Sequence, residues 1–338
     1  MLGVLYGVIS AACFGFNNAS ARRGALSGTA VQGLATSMVA GTVLFVATAV
    51  VFGEWGELSR LDLFHVTLLA AAGLAHFVWG RYFNIKSLAA VGSNLAGPVQ
   101  QFQLLLSLTL AIVFLGESLT PMKVVGILLV VAAPAYILER RAKATRRARA
   151  APAPQAVGAD VAAAAEPKFK PRMMEGYTYA LLAGLGFGSS SVLAKAGMSS
   201  TNAPFAGGLV SYIAATFVVG LVLLLPGKFA EVRGMKGESR KWFMFSGMAV
   251  SFSQMFRYLA LSVAPVTVVQ PLQSLSLMFR MLFGYFLNRE HEAFDRYVIV
   301  GLVLSFSGAL ALSVSDEVLL RHVSLPAWLE ELSRWKWP

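Results

Sequence analysis

The chain has 338 residues, 57% of them apolar and 13% charged, against roughly 25% charged in an ordinary soluble domain. That excess of apolar side chains excludes a soluble globular protein. The formal net charge of +11 would suit a nucleic-acid binder, but most basic residues lie between apolar windows, where membrane proteins keep them, and one cysteine, Cys13, excludes a disulfide framework or a thiolate metal cage.

Apolar windows nearly free of charge run over 4–19, 30–53, 63–80, 92–115, 121–138, 176–194, 203–227, 242–256, 266–279 and 297–315. A helix needs roughly 20 residues to cross about 30 Å of hydrocarbon, and the shorter windows reach that by extending across Arg81, Arg257 or Arg280. The pattern predicts an all-α membrane protein of about ten transmembrane helices. The first window starts at the initiator Met without a basic region before it or a clear cleavage site after it, and is expected to be a retained span. Between the fifth and sixth windows lies a basic run, Arg140, Arg141, Lys143, Arg146, Arg147 and Arg149, then an Ala/Pro-rich stretch to Pro167 that cannot bury a core and reads as a flexible linker. After Ser315, Leu319, Leu325, Trp328, Leu332 and Trp335 alternate with charges in an amphipathic tail suited to a membrane interface.

The two halves repeat. A shift of 173 residues lays Gly3, Tyr6, Phe14, Gly15, Ala21, Arg22 and Gly24 over Gly176, Tyr179, Phe187, Gly188, Ala194, Lys195 and Gly197. The same shift lays Pro98 and Gln100 over Pro271 and Gln273, and Glu117 over Glu290; a small gap brings Arg81-Tyr82 over Arg257-Tyr258. The expected organisation is a five-helix repeat over 1–138, a linker over 139–172, a second repeat over 173–315 and the tail over 316–338. An odd number of spans per repeat inverts the second copy, the architecture of many secondary transporters, in which a site near the midplane opens alternately to each side.

Two five-helix repeats, the segment Phe114-Leu115-Gly116-Glu117-Ser118-Leu119-Thr120 closing the fourth span, and Gly126 in the fifth resemble EamA-type members of the drug/metabolite transporter superfamily. The second copy departs at Leu287-Asn288-Arg289-Glu290 but keeps the acid and the later Gly301 and Gly308. The resemblance implies export or exchange of small metabolites, often amino acids, with the lipid bilayer and the solute as partners and no cofactor. It leaves the substrate, and the choice between monomer and homodimer, open. A bacterial plasma membrane is the expected location.

Polar side chains within spans must find a partner or line a cavity. Gln100, Gln103 and Ser107 share a face of the fourth span, and the repeat turns them into Gln273, Ser276 and Arg280 of the ninth. These stripes are expected to face a solute cavity between the halves; the competing reading is hydrogen bonding between helices. Arg280 lies well inside its span without an acid in the same span, so it either holds an anionic group of the solute or pairs with a group on another helix. Arg81 and Arg257 sit near the ends of the third and eighth spans, where a long side chain reaches the interface; a structural or gating role is expected. His76 suits hydrogen-bonded packing better than proton relay. Tyr6, Asn17 and Trp79 are secondary cavity candidates. Glu117 and Glu290 are expected at the interface, capping the following helices or meeting a basic neighbour, and Pro98 and Pro271 to break their spans or set the entry angle.

Neither a His/Glu metal motif nor a phosphate-cradling glycine loop is present, so an enzyme and a metal site are not expected. Translocation of a lipid or lipid-linked headgroup, and a receptor or assembly role without transport, remain the alternatives. Charge and resemblance disagree on orientation. The resemblance implies cytoplasmic termini, whereas Arg22, Arg23, Lys86, the Arg140–Arg149 run, Lys228, Arg233, Lys236, Arg240, Lys241, Arg289 and Arg296 predict a cytoplasmic linker and external termini.

Overall fold

The computed structural model describes residues 2–116, scattered positions from 124 to 143, 171–292, 294 and 296–313, and every regular element among them is helical. The first half supplies α1 (Leu2–Gly24), α2 (Ala30–Val51), α3 (Leu63–Gly73), α4 (Arg81–Val91), α5 (Ser93–Gln100) and α6 (Phe102–Leu115). The second supplies α7 (Met173–Gly197), α8 (Pro204–Leu224), α9 (Lys228–Arg233), α10 (Gly237–Val263), α11 (Val266–Gln273), α12 (Ser276–Asn288) and α13 (Arg296–Ser313). A π-helix, Leu74–Gly80, joins α3 to α4, and short 3-10 segments cover Glu54–Arg60 and Arg289–His291. Leu2–Gly24, Ala30–Val51, Leu63–Val91, Ser93–Leu115, Pro204–Leu224 and Val266–His291 are long and apolar enough to cross a membrane. Glu117, most of the linker and the amphipathic tail lie outside the described residues.

The repeats interlock. α1 packs against α10 and α12 of the second repeat, while α7 packs against α3, the π-helix, α4 and α6 of the first. Lipid removes most of the hydrophobic drive between membrane helices, so close packing and hydrogen bonds hold such contacts together. Gly186 of α7 marks one: a Cβ there would stand 2.3 Å from the Ala75 carbonyl oxygen and 2.9 Å from the Gly80 nitrogen, so α7 lies directly on the π-helix backbone. Phe77 of the π-helix stacks on Tyr212 of α8 at 3.9 Å between centroids, and Phe45 of α2 meets the same tyrosine at 5.0 Å.

Each repeat starts the other's second helix with an acid. Thr29 and Gln32 form a capping box at the head of α2, and Glu231 of the second repeat completes it by accepting from Thr29 Oγ1 at 2.5 Å. At the opposite face Glu54 Oε2 accepts from the Phe205 and Ala206 amides, 2.7 and 2.9 Å away, at the head of α8.

The fourth and ninth spans are broken at matching places. Three residues after Pro98 the helix tightens at Gln101, whose amide bonds to the Pro98 carbonyl; three after Pro271 it does the same at Ser274. Proline cannot donate to its own turn, and the ladder reverts to shorter i to i+3 bonds beyond it. Gln101 and Ser274 are equivalent under the repeat, and Ser274 Oγ donates to Gln101 Oε1 at 2.9 Å. Phe14 and Phe187, also equivalent, meet edge to face at 5.7 Å. Contacts between equivalent residues mark the pseudo-twofold axis, and both broken spans cross it.

Candidate functional site

Next to that axis, at mid-height of the spans, lies a polar cavity walled by Phe14, Phe187, His76, Arg257 and four glutamines, Gln103, Gln254, Gln270 and Gln273. It holds about 10 Å³ of water-accessible space, room for about one water molecule, so the structure is closed around it. Three of the wall elements are positioned by features already described. The π-helix turns His76 inward, the break after Pro98 sets Gln103, and the segment ending at the break after Pro271 sets Gln270 and Gln273.

Arg257 Nη1 donates to Ser190 and Ser191 Oγ at 3.2 and 3.0 Å, Ser191 Oγ donates to Gln270 Oε1 at 2.8 Å, and His76 Nδ1 bonds Ser190 Oγ at 3.0 Å. Among the described residues, Arg257 Nε and Nη2, His76 Nε2, Gln273 Nε2 and Gln254 Oε1 are buried without a partner. Buried polar groups are almost always paired, so this concentration in one chamber is unusual.

Arg81 is the repeat equivalent of Arg257 and differs in this respect. Its Nε donates to Ser37 Oγ at 2.6 Å, Nη1 to Asn17 Oδ1 at 2.9 Å and Nη2 to Ser246 Oγ at 2.9 Å. Both guanidiniums are buried inside the bundle and do not reach for the interface.

The polar stripes divide. Gln103 and Gln273 line the cavity, but Gln100 and Arg280 do not. Arg280 Nη2 donates to Gln100 Oε1 at 3.0 Å and Nη1 to the Ser93 carbonyl at 3.2 Å, while Gln100 Nε2 donates to Asn84 Oδ1 at 2.6 Å. Gln100 and Arg280 instead pair with each other, where the start of α5 lies close enough to take up Arg280. Ser276 is buried in the first turn of α12, outside the cavity wall. Asn17 spends its carbonyl oxygen on Arg81 and Ser246, and Tyr6 packs on Phe256. Trp79 is half exposed, its Nε1 donating to the Leu182 carbonyl, and borders an outer apolar groove instead. Glu290 is exposed on its 3-10 segment.

Toward the face where α1, α4 and α12 end, the structure is sealed. Arg22 donates to the carbonyls of Leu88, Ala89 and His291, and Glu292 accepts from the Ser93 and Asn94 amides at 2.6 and 2.9 Å. Withdrawal from water pushes the Glu292 carboxyl up, against the pull of those amides and of Arg22. Gly92, at φ +81°, makes this approach feasible, since a Cβ there would meet Glu292 Oε2 at 2.8 Å. At the opposite face Lys195, the equivalent of Arg22, donates to the carbonyls of Leu261 and Ala264, so each repeat's first helix ends on the close of its third span.

Gln254, Gln270 and Glu292 were missed in the sequence. Gln270 stands three residues before Gln273 and extends its stripe, a signal that was present. Gln254 is a lone amide in an apolar window. Glu292 had no local signal, because its partners are some 200 residues away in the chain.

A model of the EamA-like transporter family matches residues 1–138 and 174–314. No curated protein matches the chain. A solved crystal structure is 18% identical over 95% of this chain and 98% of its own length, with a TM-score of 0.61, and shares the fold. Matched over both repeats, the chain belongs to the EamA-like transporter family: it is a multi-pass membrane transporter and not a member of an enzyme family.

Proposed function

We propose that the protein is a secondary transporter that carries a small organic metabolite through the central cavity by alternating access, in export or exchange. The observation that carries this reading is the closed chamber of unpartnered polar groups beside the pseudo-twofold axis, where both broken spans cross. Inverted-repeat transporters bind solute at the midplane, on discontinuous helices between their halves. Gln103, Gln254, Gln270, Gln273, His76 and Arg257 are the solute-contacting residues in this reading. Gln100 with Arg280, and Arg22 with Glu292, close the path toward the face where α1, α4 and α12 end. Asn17 and Arg81 hold α1, α2, α4 and α10 together. Residues 1–138 and 173–315 act as the moving repeats, 139–172 as linker and 316–338 as an interfacial tail.

Counterflow in proteoliposomes loaded with amino acids, organic acids, sugars and nucleotide sugars tests the reading. A solute that accumulates in exchange for itself, with accumulation lost in Gln103→Leu and Gln273→Leu while both fold, is the expected result. Transport unaffected by both substitutions would place the path elsewhere.

A further inference from the structure

We propose that the solute is a small organic anion, a carboxylate or phosphate monoester, and that the cavity selects it over zwitterions, cations and neutral analogues. The inference rests on the transport reading above and adds the substrate class. Its basis is which edge of Arg257 is left free.

A guanidinium offers two parallel N–H bonds along its Nε–Nη2 edge, the geometry that matches two oxygens of a carboxylate or phosphate. In Arg81 that edge is filled by the hydroxyls of Ser37 and Ser246. In Arg257, a residue of the cavity wall, the same edge has no hydrogen-bond partner among the described residues, while the remaining nitrogen, Nη1, is anchored by Ser190 and Ser191. The repeat thus supplies an internal comparison. Two equivalent arginines are held by equivalent positions of α1 and α7, Asn17 and Ser190, and only the second keeps a bidentate edge open.

The rest of the wall agrees. Gln273 Nε2 is a second unpartnered donor, and His76, whose Nε2 is also unpartnered, lines the same cavity. Among the described residues no carboxylate lines the cavity. An ammonium group would therefore find Gln254 Oε1 as its unpartnered acceptor, beside a guanidinium that repels it. Apart from the Tyr258 ring, 5.5 Å from its Cζ, Arg257 has no counter-charge among the described residues; a buried charge in that state is costly and an incoming anion relieves it, so the anion neutralises Arg257 when the halves close.

Purified protein in detergent is heated with matched solutes: lactate, alanine, lactamide and glycerol 3-phosphate, then phenyllactate and phenylalanine. Lactate, phenyllactate or glycerol 3-phosphate should raise the melting temperature at concentrations at least ten-fold below those at which the amino acids or the amide act. Arg257→Gln should abolish that preference, and Arg257→Lys should weaken it. If Arg257→Gln does not fold, Gln273→Leu takes its place, with a several-fold weaker response to the anions expected. Equal or stronger stabilisation by alanine or phenylalanine, or stabilisation by none of the anions, overturns the proposal. Preference for lactate over glycerol 3-phosphate, or the reverse, separates carboxylate from phosphate recognition, and either supports it. Counterflow of a neutral or zwitterionic solute would sink this inference while leaving transport through the cavity intact. Failure of every solute to exchange would sink both.

Discussion

Replacing Asn17 with alanine should destabilise the protein by about 2–4 kcal/mol. Asn17 Oδ1 accepts from Arg81 Nη1 at 2.9 Å and from Ser246 Oγ at 2.8 Å, and all three residues are buried. A hydrogen bond to a charged group contributes roughly 1.5–3 kcal/mol and a neutral one roughly 0.5–1.5. Neutral bonds between membrane helices average only about 0.6 kcal/mol, because the unfolded chain in lipid also finds partners, so the charged bond carries most of the effect. At about 2.1 cal/mol/K per residue, the 338-residue chain has an unfolding entropy near 0.7 kcal/mol/K, and the loss corresponds to a fall of about 3–6 °C in melting temperature. Thermal unfolding in detergent measures it. Asn17→Asp, which keeps the acceptor and adds a charge opposite Arg81, should melt close to the native protein. Ser190→Ala, which leaves Ser191 on Arg257 Nη1 but strips His76 Nδ1 of its partner, should cost about 1–3 kcal/mol. If Asn17→Ala melts within about 1 °C of the native protein, Arg81 is satisfied by other means and the assignment of a structural role to it fails.

Gly92→Ala should cost roughly 2–4 kcal/mol, from a φ that side chains rarely adopt and from displacing Glu292 off the head of α5; native-like melting would contradict the seal described at that face. Gly186→Ala should lift α7 from the π-helix and lower both melting temperature and transport, at a cost of roughly 1–3 kcal/mol or more, whereas Gly220→Ala, with open space around it, should do neither. If the two alanine variants behave alike, backbone contact at Gly186 does not matter. Phosphatase fusions, active only outside the cell, should be silent at Pro154 and active after Pro338 if the basic loops set orientation; the reverse pattern would show that the orientation implied by family resemblance holds.

Composition and spacing alone determine that this chain lives in a membrane, because no soluble core could hide its apolar windows, and a single shift aligning Phe14 with Phe187 and Pro98 with Pro271 reveals the repeat. Matching prolines also locate the breaks, since what proline does to a helix ladder is local. Gln103 and Gln273 stand out as polar residues in apolar spans. The uses of three of the buried arginines show what is not local. Arg81, Arg257 and Arg280 look alike in sequence, each an arginine in or beside an apolar window. Their difference arises where distant helices meet: Ser37 and Ser246 close the edge of Arg81, the start of α5 takes Arg280, and nothing comparable among the described residues reaches the free edge of Arg257. Periodicity shows which face of a helix a side chain occupies; which of its N–H groups remains unspent depends on partners up to 187 residues away, and only the packed bundle brings those partners into reach.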